Sequence, residues 1–591
     1  MNTTKSRLGN ADRFSILQVR WSKVLQARIS VSDLYSLARF SSIYGSQFDL
    51  SFDGNKLAYC VREGLSTQRQ RPLIYYPMDE RSRLFIVQDY GKSPTCVELP
   101  EGFGAATPRW SPSGRFLAAS MCNGHGIQLG VFDTELRGWT FPTDQQLALT
   151  FGQSVFEWNR DDLLSFAALP AGQTAELITI QTSTYDQLLT TWQTAKTAMD
   201  RTGRVFDTDP ETTERLNETV LQYDANKKCL LAHIALTEDQ YKKRSARLKE
   251  NYPPDRVAIN FLDDKTGTLE YQSDALDSRI LLHRDNSGTF IYWTKSGQHT
   301  KVAEFDRHLA EVEKPFIKRQ KIDGTPKPYR KVMRYKEDKD QPVVLMVYPG
   351  QEIRDVAPKN ETINTDNLLH TSLLTSSGLC LVEPAVPLTR NGDRASDVLG
   401  ELVRAVEEAV SGLIDDGYGV EGDIHLFGHS LGGWAVPMLL AECDCFASGI
   451  ASAGIYDVSQ MHLHADPRQR YTHTLRPCLA PEYTEYAFGL PSEHWTDPQG
   501  YAKLSPIFQT HKIEVPLLML HGDMDYVPAT GAEAMLNSMR MAGKKAQLVR
   551  YTGEDHIPCN PYNLEDYFDR ITDFVWDNSP KKSQSEKEKS C

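Results

Sequence analysis

The chain has 591 residues, 40% of them hydrophobic and 10% aromatic, and a formal net charge of -13. That length suits two or three domains with real cores, which sets aside a disordered or fibrous chain. The acidic balance argues against a nucleic-acid partner, which needs a clustered basic surface, and no run approaches the roughly 20 apolar residues of a membrane-spanning helix.

Residues 1–40 form an N-terminal segment in which Arg13, Arg20, Lys23 and Arg28 are scattered among apolar positions. It lacks the continuous apolar stretch of a secretory leader, so cytoplasmic residence and free thiols at the cysteines are expected. The segment is a candidate to pack back on the C-terminal domain.

Residues 41–325 read as strands and turns. Phe48-Asp-Leu-Ser-Phe-Asp-Gly-Asn-Lys-Leu-Ala-Tyr59 recurs as Pro108-Arg-Trp-Ser-Pro-Ser-Gly-Arg-Phe-Leu-Ala-Ala119, and more loosely from Phe156 to Phe166, Gln222 to Leu231 and His283 to Tyr292. Each unit is an aromatic residue, a polar turn and an alternating strand. Irregular repeats at spacings of about 50 to 65 residues predict β-propeller blades. Polar segments from Tyr185 to Asp200 and from Glu238 to Asn251 read as helical insertions. Phe316 to Arg334 reads either as linker or as the first strand of the next domain, whose start is set at 326.

From 326 to 579 the texture becomes α/β. Pro342-Val-Val-Leu-Met-Val-Tyr-Pro-Gly350 is a buried strand running into a turn. Asp397 to Asp415 predicts a helix with Val398, Leu402, Val406, Val410 and Ile414 on one stripe, and Gly417 and Gly419 as stop signals. Asp423 to Phe427 then leads into Gly428-His-Ser-Leu-Gly432 and a second helix. A strand entering Gly-x-Ser-x-Gly and leaving as a helix is the nucleophile elbow of an α/β-hydrolase, with Ser430 the candidate nucleophile.

Ser448 to Ala453 and Val515 to Leu520 are further buried strands. The second ends in His521-Gly-Asp-Met-Asp-Tyr-Val-Pro528, and a strand from Ala546 to Tyr551 ends in Thr552-Gly-Glu-Asp-His556. The chain order Ser430, Asp525, His556 is the hydrolase order, and parallel strands open their ends toward one edge where the three can meet. Asp523, His521 and Asp555 compete for these roles or shape the turns around them.

The histidine-bearing run Met461-His-Leu-His464 with His473 reads as a polar loop ahead of a metal site. Arg468 and Arg470 beside it either meet a substrate's carboxylate or carbonyl or sit on the surface. Trp434 and Tyr526, neighbours of the two acidic and nucleophilic loops, are candidate pocket residues. The polar tail, 580–591, is expected to be disordered. No metal or organic cofactor is called for.

The serine, aspartate and histidine segments resemble those of the prolyl oligopeptidase family of serine peptidases, in which a β-propeller precedes the α/β-hydrolase domain. The match extends to the strand ending in Tyr348-Pro-Gly350. By that resemblance the Tyr348 hydroxyl and the Leu431 backbone N–H form the oxyanion hole, and the propeller limits access to short peptides. The chain departs from the family in two places: Leu431 follows the serine where tyrosine is usual, and only Tyr526 separates Asp525 from Val527, where two residues are usual. Ser32 to Arg39 and Leu50 to Arg62 are similar to the start of family members that include lasso-peptide isopeptidases.

The expected activity is therefore serine-peptidase hydrolysis of short peptides through an acyl-enzyme. A lasso-peptide isopeptidase, an esterase or acyl-transfer enzyme and a catalytically dead propeller binding protein are the alternatives, and oligomeric state is undetermined.

Overall fold

A computed structural model describes residues 30–580 apart from 41–46, 63–81, 151–155, 172–218, 236–257, 261–267, 308–315, 322–328, 335–340, 352–370, 467–477 and scattered shorter stretches. The two insertions expected after Tyr185 and Glu238, and the tail from 581, lie outside the described residues.

Long apolar runs with β-branched residues have no polar face, so they form strands only where both sides of a sheet are covered. Here such runs supply the central strands of one eight-stranded sheet, made of β1 (Phe316–Lys321), β2 (Tyr329–Arg334), β3 (Val343–Met346), β4 (Cys380–Pro384), β5 (Ile424–His429), β6 (Ser448–Ser452), β7 (Leu517–Gly522) and β8 (Ala546–Tyr551), while the outer strands β1, β2 and β8 carry charged residues. Its order is β1-β2-β4-β3-β5-β6-β7-β8. The first two strands pair antiparallel and β2 pairs antiparallel with β4; from β4 to β8 every pairing is parallel.

The hairpin of β1 and β2 decides between the two readings of Phe316 to Arg334. It joins this sheet at its edge, through the pairing of β2 with β4.

Successive strand residues point to opposite faces. Val343, Leu345, Ile424, Leu426, Leu517 and Met519 join a core roofed by α1 (Val398–Asp415), α2 (Leu431–Glu442) and α3 (Ala529–Met541). Their neighbours Val344, Met346, Phe427, Ile450, Leu518 and Leu520 face the core beneath α4 (Pro561–Asn578). Leu37, fully buried, lies in that second core.

Helix α1 starts where Asp397 accepts the Gly400 N–H and ends in Gly417 at φ 71°. Its expected stripe holds as far as Val410, but Ile414 is exposed and Leu413 takes the buried position. At 3.6 residues per turn, each step of four rotates about 40° past a full turn, so a strict spacing of four walks off the core after four steps.

The N-terminal half consists, among the described residues, of four antiparallel sheets in chain order: 48–96, 104–140, 156–235 and 258–305. Phe48, Leu50 and Leu57 of the first share a core with Ile280, Ile291 and Trp293 of the last. The polar turns of the repeats bond to one another: Lys295 Nζ donates to Gly54 O (2.9 Å), Lys56 Nζ to Gly114 O (2.7 Å), and Ser113 N to Asp162 Oδ1 (2.9 Å). The repeat expected at Gln222 to Leu231 is the second hairpin of the sheet that starts at Phe156, so the five sequence units make four sheets. Among the described residues no helix is long and apolar enough to cross a membrane.

Candidate active site

The turn at Ser430 is forced by close backbone approach. A Cβ on Gly428 would stand 2.2 Å from Gly432 O, and one on Gly432 would stand 2.3 Å from Val347 O. With no side chains there, β5 can reverse into α2 within one residue, and Ser430 bears the strain at φ 59° and ψ -118°. Its N–H is held by Ser452 O on β6 at 2.9 Å, and its carbonyl receives Trp434 N at 3.1 Å. The next amide, that of Leu431, is the first of the helix and so one of its orphan donors.

Asp525 and His556 come from the loops after β7 and β8. His556 Nδ1 lies 2.9 and 3.1 Å from the two Asp525 carboxylate oxygens. Asp525 Oδ1 also accepts the Val527 N–H at 2.8 Å, a tight local turn that the single residue between Asp525 and Val527 permits. Both side chains are buried, Asp525 completely. The competing acids are committed elsewhere: Asp523 accepts Gly553 N at 2.6 Å and Asp555 accepts the backbone N–H of His556 at 2.7 Å, so both shape the histidine loop.

Tyr348 stands at the end of β3, partly exposed, with a side-chain hydrogen-bonding interaction to Ser430. Burial of its phenol, with the nearby Tyr486, raises its pKa, opposed by the contact with Ser430, so the hydroxyl keeps its proton and can donate. Among the described residues no hydrogen bond joins Ser430 Oγ to His556. Bonds of this kind often tighten only when substrate arrives.

The pocket candidates fare differently. Tyr526 packs its ring on His556 with centroids 4.4 Å apart. Trp434 is fully buried; its indole N–H donates to Leu504 O at 2.7 Å and its ring meets Phe488 edge-on. It is a core residue of α2, not a pocket wall, because it points into the helix-roofed core. Arg468 and Arg470, like His473, lie outside the described residues.

Two buried histidines complete the cluster. His521 Nε2 donates to Val527 O at 2.8 Å and lies 3.4 Å from Asp525 Oδ2. His429, the residue before Ser430, meets His556 at a ring-centroid distance of 4.7 Å. Burial, and then the neighbouring His556 and His521, hold His429 well below the ordinary histidine value. Burial likewise lowers His521, against the opposing pull of Asp525 and the Val527 carbonyl. His521 was visible in sequence as a competitor for the acid–base roles; His429 was hidden as the variable position of the Gly-x-Ser-x-Gly pattern.

Residues 401–581 match the Prolyl oligopeptidase family. The chain carries a prolyl oligopeptidase family domain. Over 330 residues it is 26% identical to a probable chloroplastic glutamyl endopeptidase of Arabidopsis thaliana, an alignment covering 52% of this chain and 32% of that one. The same shares hold for a probable chloroplastic glutamyl endopeptidase of Oryza sativa subsp. japonica, at 24% identity. The aligned part of the chain thus spans about a third of the length of these curated relatives.

Among solved structures, the acylaminoacyl peptidase of Pyrococcus horikoshii aligns with a TM-score of 0.58 at 12% identity, covering 93% of this chain and 97% of that one. The AtxE2 isopeptidase aligns with a TM-score of 0.55 at 14% identity, covering 95% and 98%. At such identities the likeness is one of fold, and it takes in both halves of the chain around the prolyl oligopeptidase family domain.

Proposed function

We propose that this protein is a serine peptidase that hydrolyses amide bonds of short peptides through an acyl-enzyme. The observation that carries the reading is an imidazole bonded at 2.9 Å to a fully buried carboxylate, beside a serine strained on a strand-to-helix elbow.

In this reading Asp525 fixes the His556 tautomer, and His556 takes the Ser430 proton as Oγ attacks the peptide carbonyl carbon. The carbonyl oxygen becomes an oxyanion facing the Tyr348 hydroxyl and the Leu431 N–H. As the tetrahedral centre collapses, the C–N bond breaks and His556 gives its proton to the leaving amine. Water, deprotonated by the same histidine, then releases the acid and restores Ser430.

The four antiparallel sheets form a propeller that caps this site and restricts it to peptides and small compounds. The first-to-last core of the N-terminal half and the chain of bonds between its turns support that arrangement. The domain limits belonging to this proposal are 30–40 for the N-terminal segment, 47–305 for the propeller and 316–579 for the hydrolase domain. An acylaminoacyl peptidase of the same fold has been solved with Z-Gly-Gly-Phe-chloromethyl ketone, and a peptide of that kind is the substrate class proposed here.

The test is labelling with a fluorophosphonate, mass spectrometry of the modified peptide, and peptide-library cleavage. Stoichiometric modification at Ser430, absent in Ser430→Ala, together with peptide cleavage is the expected result. Rapid ester turnover with no peptide cleaved would replace the peptidase by an esterase, and a folded protein that does not label would leave no serine hydrolase at all.

A further inference from the structure

His429 takes no part in the acyl-transfer steps above, yet a histidine here has a cost. It is 6% exposed, and its Nε2 finds no hydrogen-bond partner among the described residues. A phenylalanine of similar shape would leave no buried nitrogen unpaired. The other nitrogen, Nδ1, lies 3.0 Å from Ser452 Oγ, and Ser452 has a hydrogen-bonding interaction with Tyr567 of α4. The ring is thus tied through Nδ1 and Ser452 of β6 to α4, which covers this face of the sheet, while its other edge lies among the rings around His556.

We infer that His429 is a positioning residue for His556: anchored through Nδ1 to Ser452, its ring forms a fixed wall that, with Tyr526, keeps the His556 imidazole seated on Asp525. The two ring contacts, at centroid distances of 4.7 Å from His429 and 4.4 Å from Tyr526, come from the end of β5 and from the loop after β7. The Nδ1 bond explains why the wall is a histidine: it fixes the ring's rotation, which a hydrocarbon ring in the same place would lack. Because burial disfavours its charged form, His429 does not compete for the proton that His556 carries during turnover. This inference rests on the reading of His556 as the base.

The experiment compares wild type with His429→Phe, His429→Ala, Ser452→Ala and the double variant His429→Ala/Ser452→Ala. It measures fluorophosphonate labelling rate, p-nitrophenyl acetate kinetics, and the strongly deshielded proton resonance of the His556 Nδ1–H on Asp525. His429→Ala is expected to lower kcat and labelling about 10- to 100-fold with KM changed by less than about twofold, as a misplaced base would. His429→Phe, which keeps the volume and so guards against a folding failure, is expected to lose nearly as much. Ser452→Ala is expected to lose less, and the double variant no more than His429→Ala alone, since both act through one contact. The Nδ1–H resonance is expected to broaden or vanish in the His429 variants. Wild-type labelling rates with an unchanged resonance in a folded His429 variant would overturn the inference, as would fully additive losses. If wild type itself fails to label, the peptidase reading falls, and the resonance comparison alone decides whether His429 positions His556.

Discussion

The same two strands carry a serine–histidine pair at each end, and the proposed chemistry uses only one end. On β5 and β6, His425 sits opposite Ser448 and His429 opposite Ser452. At the lower end His425 Nδ1 is 2.7 Å from Ser448 Oγ, its Nε2 is 3.7 Å from Asp423 Oδ1, and Ser579 Oγ donates to that same oxygen. The lower group thus has serine, histidine and aspartate in contact, yet its His425 and Ser448 are fully buried and Asp423 nearly so. At the upper end a further serine, Ser430 next to His429, stands on a strained elbow beside the partly exposed Tyr348. Residue types do not distinguish the two ends. Access does, together with position at the C-terminal edge of parallel strands, where loops converge.

The largest expected effect follows directly. Ser430→Ala should lower peptide hydrolysis by about 10⁴-fold or more, while Ser448→Ala should leave kcat within about twofold. Steady-state kinetics on the same peptide checks both, and a large loss in Ser448→Ala would erase the distinction between the ends. Next in size, Tyr348→Phe removes a donor from the oxyanion position and should cost about a hundredfold in kcat with folding intact.

Acid sharpens the contrast differently. His429 and His521 have folded-state pKa values below 6.5, so the unfolded chain binds more protons than the native one as pH falls through that value. Native stability is therefore expected to fall as pH drops below about 6.5, by up to about 1.4 kcal/mol per unit for each of the two. Urea unfolding midpoints at pH 7.5 and 5.5 measure this, and His429→Phe should flatten the dependence. The smallest effect belongs to the lower end: Ser579→Ala should destabilise the fold by about 1–2 kcal/mol through the lost bond to buried Asp423, with the labelling rate at Ser430 unchanged.

The sequence was legible where one local pattern fixes one structure. Gly428, Ser430 and Gly432 read as an elbow because their close contacts leave no room for side chains, and the strand at Ala546–Tyr551 has the bounds its pattern predicts. Patterns that depend on what a residue faces were not legible. Trp434 follows the serine by four positions but points into the core, Ile414 fits the spacing yet rotates into solvent, and the strand Phe316–Lys321 is recognisable only by its partner Tyr329–Arg334. His429 is the extreme case, since its role depends on Ser452 and His556, which are distant in sequence and adjacent only across the sheet.

Leu37 and Ala38 are neighbours in the chain but are buried in different halves, the first beneath the parallel sheet and the second with Phe48 and Trp293, where its N–H donates to Asp306 Oδ1 at 2.9 Å. Among the described residues the polypeptide therefore crosses between the halves at two places, here and between Phe305 and Phe316. A body held by one tether can swivel in any direction, whereas one held at two points turns freely only about the line that joins them. Parting the halves along any other axis means drawing Leu37 into water, at roughly 1.5–3 kcal/mol. Under the proposed function, in which the N-terminal half caps the site, substrate entry by such parting would be a door-like swing about that line.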